Sequence, residues 1–262
     1  MNLRKLWLPL LVFNLAFLFA PLRGRAQRIN WTIDGVERQA QVYIPKKDPG
    51  PNKIPVVFAF HWHGGTMTQD AQVFHFQNAW PEAIVVYMQG LPTRTDSQQD
   101  YGWQHSAGEF GDRDLKFFDT VLADLKQKFP VDDRRIYASG FSDGAQFTYF
   151  LWSARPKIFA AYAIVAGRIM SPTVKITEPR PVYYVVGTQD PGYAQNTAAM
   201  DMVKQLNGVS GGTSCGEMCT KYDSPKGAPV MTYIHDHGHV YPIPISSDFV
   251  AFFKQHTLDG KD

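Results

Sequence analysis

Cysteine is nearly missing from this chain: the 262 residues hold two, Cys215 and Cys219, both inside the stretch "SCGEMC". A structural zinc site usually takes four ligands, so two thiols alone make a poor one. In an oxidising compartment they are expected to close a small local disulfide, contributing roughly 2 kcal/mol by the chain-entropy argument. With no cysteine near residue 26, a lipoprotein-type acyl anchor has no attachment point. Long apolar runs are scarce as well. Leu6 to Ala20 is uncharged but shorter than the roughly 20 residues that a membrane-spanning helix needs. Blocks of like charge are also missing, which argues against a nucleic-acid-binding patch. Neither a repeat, a low-complexity tract nor a long linker divides the chain, so one domain is expected.

What is present begins with an export signal. Arg4 and Lys5 precede the apolar run, Pro21 breaks it, and Gly24-Arg25-Ala26 supplies small residues for cleavage. Residues 1–26 therefore read as a signal peptide and residues 27–262 as the mature domain. Removing Arg4, Lys5, Arg23 and Arg25, with no acid among the lost residues, turns the formal charge from +2 to −2. The mildly basic character thus belongs partly to the signal. A secreted protein, extracellular or periplasmic, is expected, with no nucleic-acid partner and no membrane association after cleavage.

Strand and helix patterns alternate through the mature chain. "RQAQVYIP" (38–45) alternates apolar and polar residues, as a first or edge-side antiparallel strand does. "VVFAF" (56–60), "AIVVY" (83–87), "RIYAS" (135–139), "AYAIV" (161–165), "VYYVV" (182–186) and "VMTYI" (230–234) are short apolar runs suited to strands buried on both faces. Helices are predicted over 112–130, 143–154, 196–208 and 246–256. In the first, Leu115, Phe118, Val121, Leu122, Leu125 and Phe129 make one apolar stripe. Asp112 and Asp114 at its start and Lys126 and Lys128 at its end suit the helix dipole. This alternation predicts an α/β fold with a mostly parallel, doubly wound sheet and helices on both faces.

Gly140-Phe141-Ser142-Asp143-Gly144 falls where a predicted strand ends and a helix begins. A nucleophilic serine stands on a sharp, strained turn there, and the two glycines remove side chains where strand and helix crowd together. An ordinary loop with Ser142 as a helix cap is the plainer alternative, and the pattern arises by chance in about one chain in ten of this length. Its placement between strand and helix favours the nucleophile. That reading requires an acid and then a histidine downstream. Asp190 follows the strand 182–186 and Gly187, although an Asp-Pro turn at Pro191 is its blander role. His239 follows the last strand and stands beside Gly238. The order Ser142, Asp190, His239 is the one this fold demands.

Upstream, "VVFAFHWHGGTMTQD" breaks from a central strand into a glycine-bearing loop, where this fold keeps an oxyanion donor. His63 is the first choice for that N–H, with Gly64 or Gly65 behind it. Trp62, Tyr101 and Trp103 fall on loops at the predicted C-terminal strand ends. They are candidates for lining a substrate pocket, with core packing as the alternative. Trp80 and Trp152 read as core. The histidines leave two rivals standing. His61, His63, His235, His237 and His239 suggest an extracellular metal-binding protein, and a non-catalytic polymer-binding domain on a hydrolase fold is the other.

Together these segments resemble secreted α/β-hydrolase esterases, the group of polyhydroxybutyrate depolymerases and feruloyl esterases of carbohydrate esterase family one. The resemblance covers most of the mature chain. It rests on "VYIP" with "PVVFAFHWHGGT", "VVYMQGLP", "YGWQ", "GDRDLKFFDTVLADL", "VDDRRIYASGFSDGAQFTYFLW", "VVGTQDP" and "GHVYP". It implies hydrolysis of carboxylic esters, some of them polymeric, by Ser142, His239 and Asp190, with the backbone N–H of Asp143 as one oxyanion donor and no metal or other cofactor. The implied substrates are feruloyl or acetyl esters of polysaccharides, or polyhydroxyalkanoate-type polyesters. The chain departs from the family pattern at Trp62 and Ala145, where glycine is usual, and at Asp143, where asparagine is usual.

Overall fold

The computed structural model describes residues 25–47, 49–94, 100–243 and 245–258. The expected signal peptide therefore lies outside the described residues, apart from Arg25 and Ala26. Twelve strands are described: β1 (Ala26–Ile33), β2 (Val36–Tyr43), β3 (Ile54–Phe60), β4 (Ile84–Met88), β5 (Leu91–Pro92), β6 (Tyr101–Gly102), β7 (Val131–Phe141), β8 (Ala161–Val165), β9 (Val182–Gly187), β10 (Thr213–Ser214), β11 (Cys219–Tyr222) and β12 (Val230–His235). The helices are α1 (Met67–Phe74), α2 (Phe76–Ala79), α3 (Arg113–Lys128), α4 (Asp143–Ala154), α5 (Tyr193–Asn207) and α6 (Ser246–Phe253), with a 3₁₀ turn at Glu109–Asp112.

Ten strands form one sheet in the order β1-β2-β4-β3-β7-β8-β9-β12-β11-β10, and β5 pairs with β6 apart from it. From β4 to β12 all neighbours are parallel, whereas β1, β2, β10 and β11 add antiparallel edges. The sheet is thus mostly parallel, with apolar strands at its centre.

Side chains alternate along each central strand, so both faces carry a core. Val56, Phe58 and Phe60 of β3 face α3 and α4, meeting Leu115, Phe118, Leu122 and Phe147. Val57 and Ala59 face the other way, into a cluster with Phe74 of α1, Phe76 of α2 and Phe249 of α6. Continuous apolar strands are the consequence of covering both faces. Among the described residues, no helix is long and apolar enough to cross a membrane.

The chain runs from β3 to β4 on one side of the sheet, then returns to place β7 on the other side of β3. Such a reversal opens a crevice at the C-terminal ends of the two strands, where ligands bind in sheets of this kind. Three features differ from the sequence expectations. β2 is not outermost, because β1 pairs along its whole length. Helices α1 and α2 were not predicted. The small β10–β11 hairpin was not predicted either, and it is closed by a disulfide between Cys215 and Cys219, Cα–Cα 5.0 Å.

Candidate active site

Ser142 sits between β7 and α4 with φ 56° and ψ −114°, a conformation that L-residues rarely adopt. Two close approaches hold it there. A β-carbon on Gly140 would fall on the carbonyl of Gly144, and one on Gly144 would fall on the carbonyl of Phe60 at the end of β3. Both glycines of the pattern are therefore required by contact, and α4 is pressed against β3. Ala145 is fully buried, its methyl lying where a side chain on Gly167 would stand. The departure from glycine at 145 is thus absorbed by a glycine at 167.

Asp190 stands on the loop after β9 and is 5% exposed. Its Oδ1 accepts the Gly192 N–H at 2.7 Å, and its Oδ2 accepts from Asn196 Nδ2 at 3.4 Å. Oδ2 also lies 2.6 Å from His239 Nδ1. The other ring nitrogen, Nε2, lies 2.8 Å from Ser142 Oγ. With Nδ1–H donating to the carboxylate, Nε2 carries the lone pair and accepts the serine hydroxyl. The histidine and acid loops are laced together by Thr188 N–H to His235 O, 2.8 Å, and Gln189 N–H to His237 O, 3.1 Å. The Phe141 ring stacks on the His239 imidazole with centroids 5.0 Å apart.

The remaining histidines have other surroundings. His61 is fully buried. Its Nε2 accepts the Gly90 N–H at 2.9 Å, so its Nδ1 carries the proton and donates to Trp62 O at 2.7 Å. Burial lowers its pKa to about 4, so the ring is neutral near pH 7. His235 is buried, and its Nδ1 accepts the His237 N–H at 3.2 Å. Burial also lowers the pKa of His235. His237 is solvent-exposed beside Asp236. Among the described residues, no three side chains of metal-binding type converge. Both nitrogens of His61 and of His239 are already hydrogen-bonded within the chain.

In the loop after β3, the Gly64 N–H is bonded to Tyr101 O at 2.7 Å and the Gly65 N–H to Trp62 O at 2.9 Å. His63 is exposed beside them. The Trp62 ring is half-buried, lies over Gly65 and meets Phe141 at a centroid distance of 6.0 Å. Tyr101 is half-buried on β6. Trp103 corrects the expectation of a pocket wall. It is fully buried, stacks on Phe147 at 5.1 Å and donates its indole N–H to His61 O at 2.9 Å. An aromatic so enclosed belongs to the core. The Asp143 carboxylate is turned away from solvent, with Oδ2 accepting the Trp103 N–H at 3.0 Å and Oδ1 2.6 Å from His105 Nε2.

Phe141, Asn196 and His105 are not singled out as site residues by their sequence context, and His61 is singled out there only as a candidate metal ligand. Only Asn196 carried a local signal, as a polar residue at the predicted start of a helix six positions beyond Asp190.

No protein-family model matches the chain. It is 26% identical over 161 residues to "Probable feruloyl esterase C" of Aspergillus niger, covering 59% of this chain and 55% of that protein. It is 28% identical over 163 residues to a bifunctional acetylxylan esterase/xylanase of Neocallimastix patriciarum, covering 60% of this chain and 22% of that protein. The chain thus spans little more than half the length of the first relative and under a quarter of the second. Among solved structures it resembles an acetyl xylan esterase from Aspergillus awamori, with TM-score 0.68, 16% identity, and coverage of 87% of this chain and 99% of that one. The fold is that of the α/β-hydrolases.

Proposed function

We propose that this chain is an exported serine esterase that hydrolyses carboxylic esters through an acyl-enzyme. The observation that carries the reading is the unbroken hydrogen-bond line from Asp190 through His239 to Ser142, built on three different strand ends. In this reading Ser142 Oγ attacks the ester carbonyl while His239 Nε2 takes its proton. Asp190 fixes the tautomer and stabilises the imidazolium that forms. The tetrahedral intermediate then expels the alcohol, which leaves with the proton from His239. Water attacks the acyl-serine with His239 again as base, and the acid departs.

The oxyanion is assigned to the backbone N–H groups of Asp143 and His63. Asp143 opens α4, where N–H groups have no partner within the helix. For His63 the support is the peptide plane. Trp62 O is held by His61 Nδ1–H and the Gly65 N–H, and in a planar trans peptide the following N–H points the opposite way. The Gly64 and Gly65 N–H groups are already committed.

The names of the relatives favour feruloyl or acetyl esters of plant polysaccharide over the polyester alternative. Trp62 and Tyr101, both half-buried beside the loop, are assigned to the substrate side. Export is supported by the apolar N-terminal run and by the disulfide. A fluorophosphonate probe and a panel of methyl ferulate, acetylated xylan and p-nitrophenyl acetate test the reading. Wild type is expected to be labelled and to hydrolyse at least one ester without added metal, whereas Ser142→Ala does neither. Labelling that survives the substitution sinks the assignment.

A further inference from the structure

The segment from Tyr101 to His105 is tied to both halves of the site. Tyr101 O accepts the Gly64 N–H at 2.7 Å, and the Trp103 indole donates to His61 O at 2.9 Å, so one end grips the loop after β3. The other end grips the serine turn, where the Asp143 carboxylate takes the Trp103 N–H at 3.0 Å and faces His105 Nε2 at 2.6 Å. Gly102 lies in the angle between them. A β-carbon there would stand 2.8 Å from Asp143 Oδ2 and 3.3 Å from His63 Cδ2.

Asp143 is a costly residue at this position. Its carboxylate is carried by the residue whose own N–H is assigned to the oxyanion, and it is 6% exposed, so water screens it poorly. An uncompensated negative charge there opposes the charge that develops on the substrate oxygen. His105 is the cation placed to cancel it.

We propose, resting on the esterase reading, that His105 is a positioning residue. Its imidazolium neutralises the Asp143 carboxylate and braces the Tyr101–His105 segment between the two oxyanion donors.

The groups facing His105 are Asp143 of α4, Glu109 of the 3₁₀ turn and Asp114 of α3. Glu109 also accepts the His105 backbone N–H at 2.6 Å. Burial disfavours the charged ring, but the Asp143 hydrogen bond, with the negative charges of Asp143, Glu109 and Asp114, outweighs it and raises the pKa above the ordinary histidine value. The charged form therefore persists through a pH range in which an isolated histidine is neutral. It is lost on the alkaline side, which gives kcat a descending limb there.

The test is a reciprocal rescue read through pH profiles of kcat and KM on p-nitrophenyl acetate. His105→Gln is expected to lower kcat roughly ten- to a hundredfold with little change in KM, less than the loss of a whole oxyanion donor. Asp143→Asn keeps an acceptor for the Trp103 N–H and removes the charge, so it is expected to abolish the alkaline limb. Adding Asp143→Asn to His105→Gln is expected to restore most of the lost kcat, which a merely structural histidine would not allow. The His105 imidazole, followed by NMR in wild type and in Asp143→Asn, is expected to titrate at lower pH in the variant. An active wild type whose His105→Gln loss is not rescued, or whose alkaline limb survives Asp143→Asn, overturns this role alone. A wild type inert on every ester overturns the esterase reading and this role with it.

Discussion

Gly187 lies directly beneath the main chain of His237: a β-carbon on the last residue of β9 would fall on the carbonyls of His237 and Gly238. The loop that carries His239 therefore rests on the bare backbone of the strand that leads to Asp190. Gly187→Ala is expected to lift this loop and break the 2.8 Å contact between His239 and Ser142. Esterase activity should fall at least tenfold, more than any loss explained by a lower Tm, since displacement by about 1 Å can cost about a hundredfold. Steady-state kinetics beside a thermal melt check this.

Asp190 and Asn196 should differ in degree. Asp190→Asn removes the charge and the preference for the right tautomer, so kcat is expected to drop by about 10⁴-fold while the fold persists. Asn196 touches the acid only through a 3.4 Å bond, so Asn196→Ala should cost less than about tenfold. Equal losses in the two variants would contradict the proposed division of labour.

Asp70 of α1 is fully buried, with no partner for either carboxylate oxygen among the described residues, and burial raises its pKa well above the ordinary carboxyl value. The folded protein then holds a proton that the unfolded chain releases. Stability is therefore full below the ordinary carboxyl range and declines as pH rises from there towards the raised folded value. Asp70→Asn is expected to remove this decline and raise Tm near neutral pH, with the difference closing in acid. Melts across pH provide the measurement.

His61 acts in the opposite direction. Its folded-state pKa is lowered from 6.5 to about 4, so stability is present above the ordinary histidine value and is lost as pH falls towards about 4. The full effect is on the order of 3 kcal/mol. His61→Asn keeps an N–H for Trp62 O but has no ring to protonate, so its urea unfolding should depend less on pH over that window. A slope equal to that of wild type counts against His61 as the source.

The central strands, α4 and the chain order of Ser142, Asp190 and His239 were legible because each rests on local pattern. Strands covered on both faces read as unbroken apolar runs, and a serine between two glycines at a strand-to-helix junction reads as a turn. β1 is hard to read from sequence because it abuts the proposed export signal and its apolar alternation is confined to Ile29, Trp31 and Ile33. α1 and α2 are short and rich in polar residues, so no long stripe announces them. Trp103 was misplaced because an aromatic on a loop looks the same from sequence whether it faces a cleft or the core. The Asp143–His105 contact joins residues 38 positions apart, and the burial of His61 depends on the return of the chain at Gly90. No window of neighbouring residues contains either fact.

Among the described residues, the two margins of the central sheet differ in length. At one margin β10 is two residues long and belongs to a hairpin tied by the Cys215–Cys219 bridge, so it offers little unpaired backbone to a passing chain. At the other, β1 is eight residues long and, among the described residues, has β2 as its strand partner. Arg28, the third residue of β1, is the one charge on that strand, and a charge on an edge strand opposes the addition of another chain.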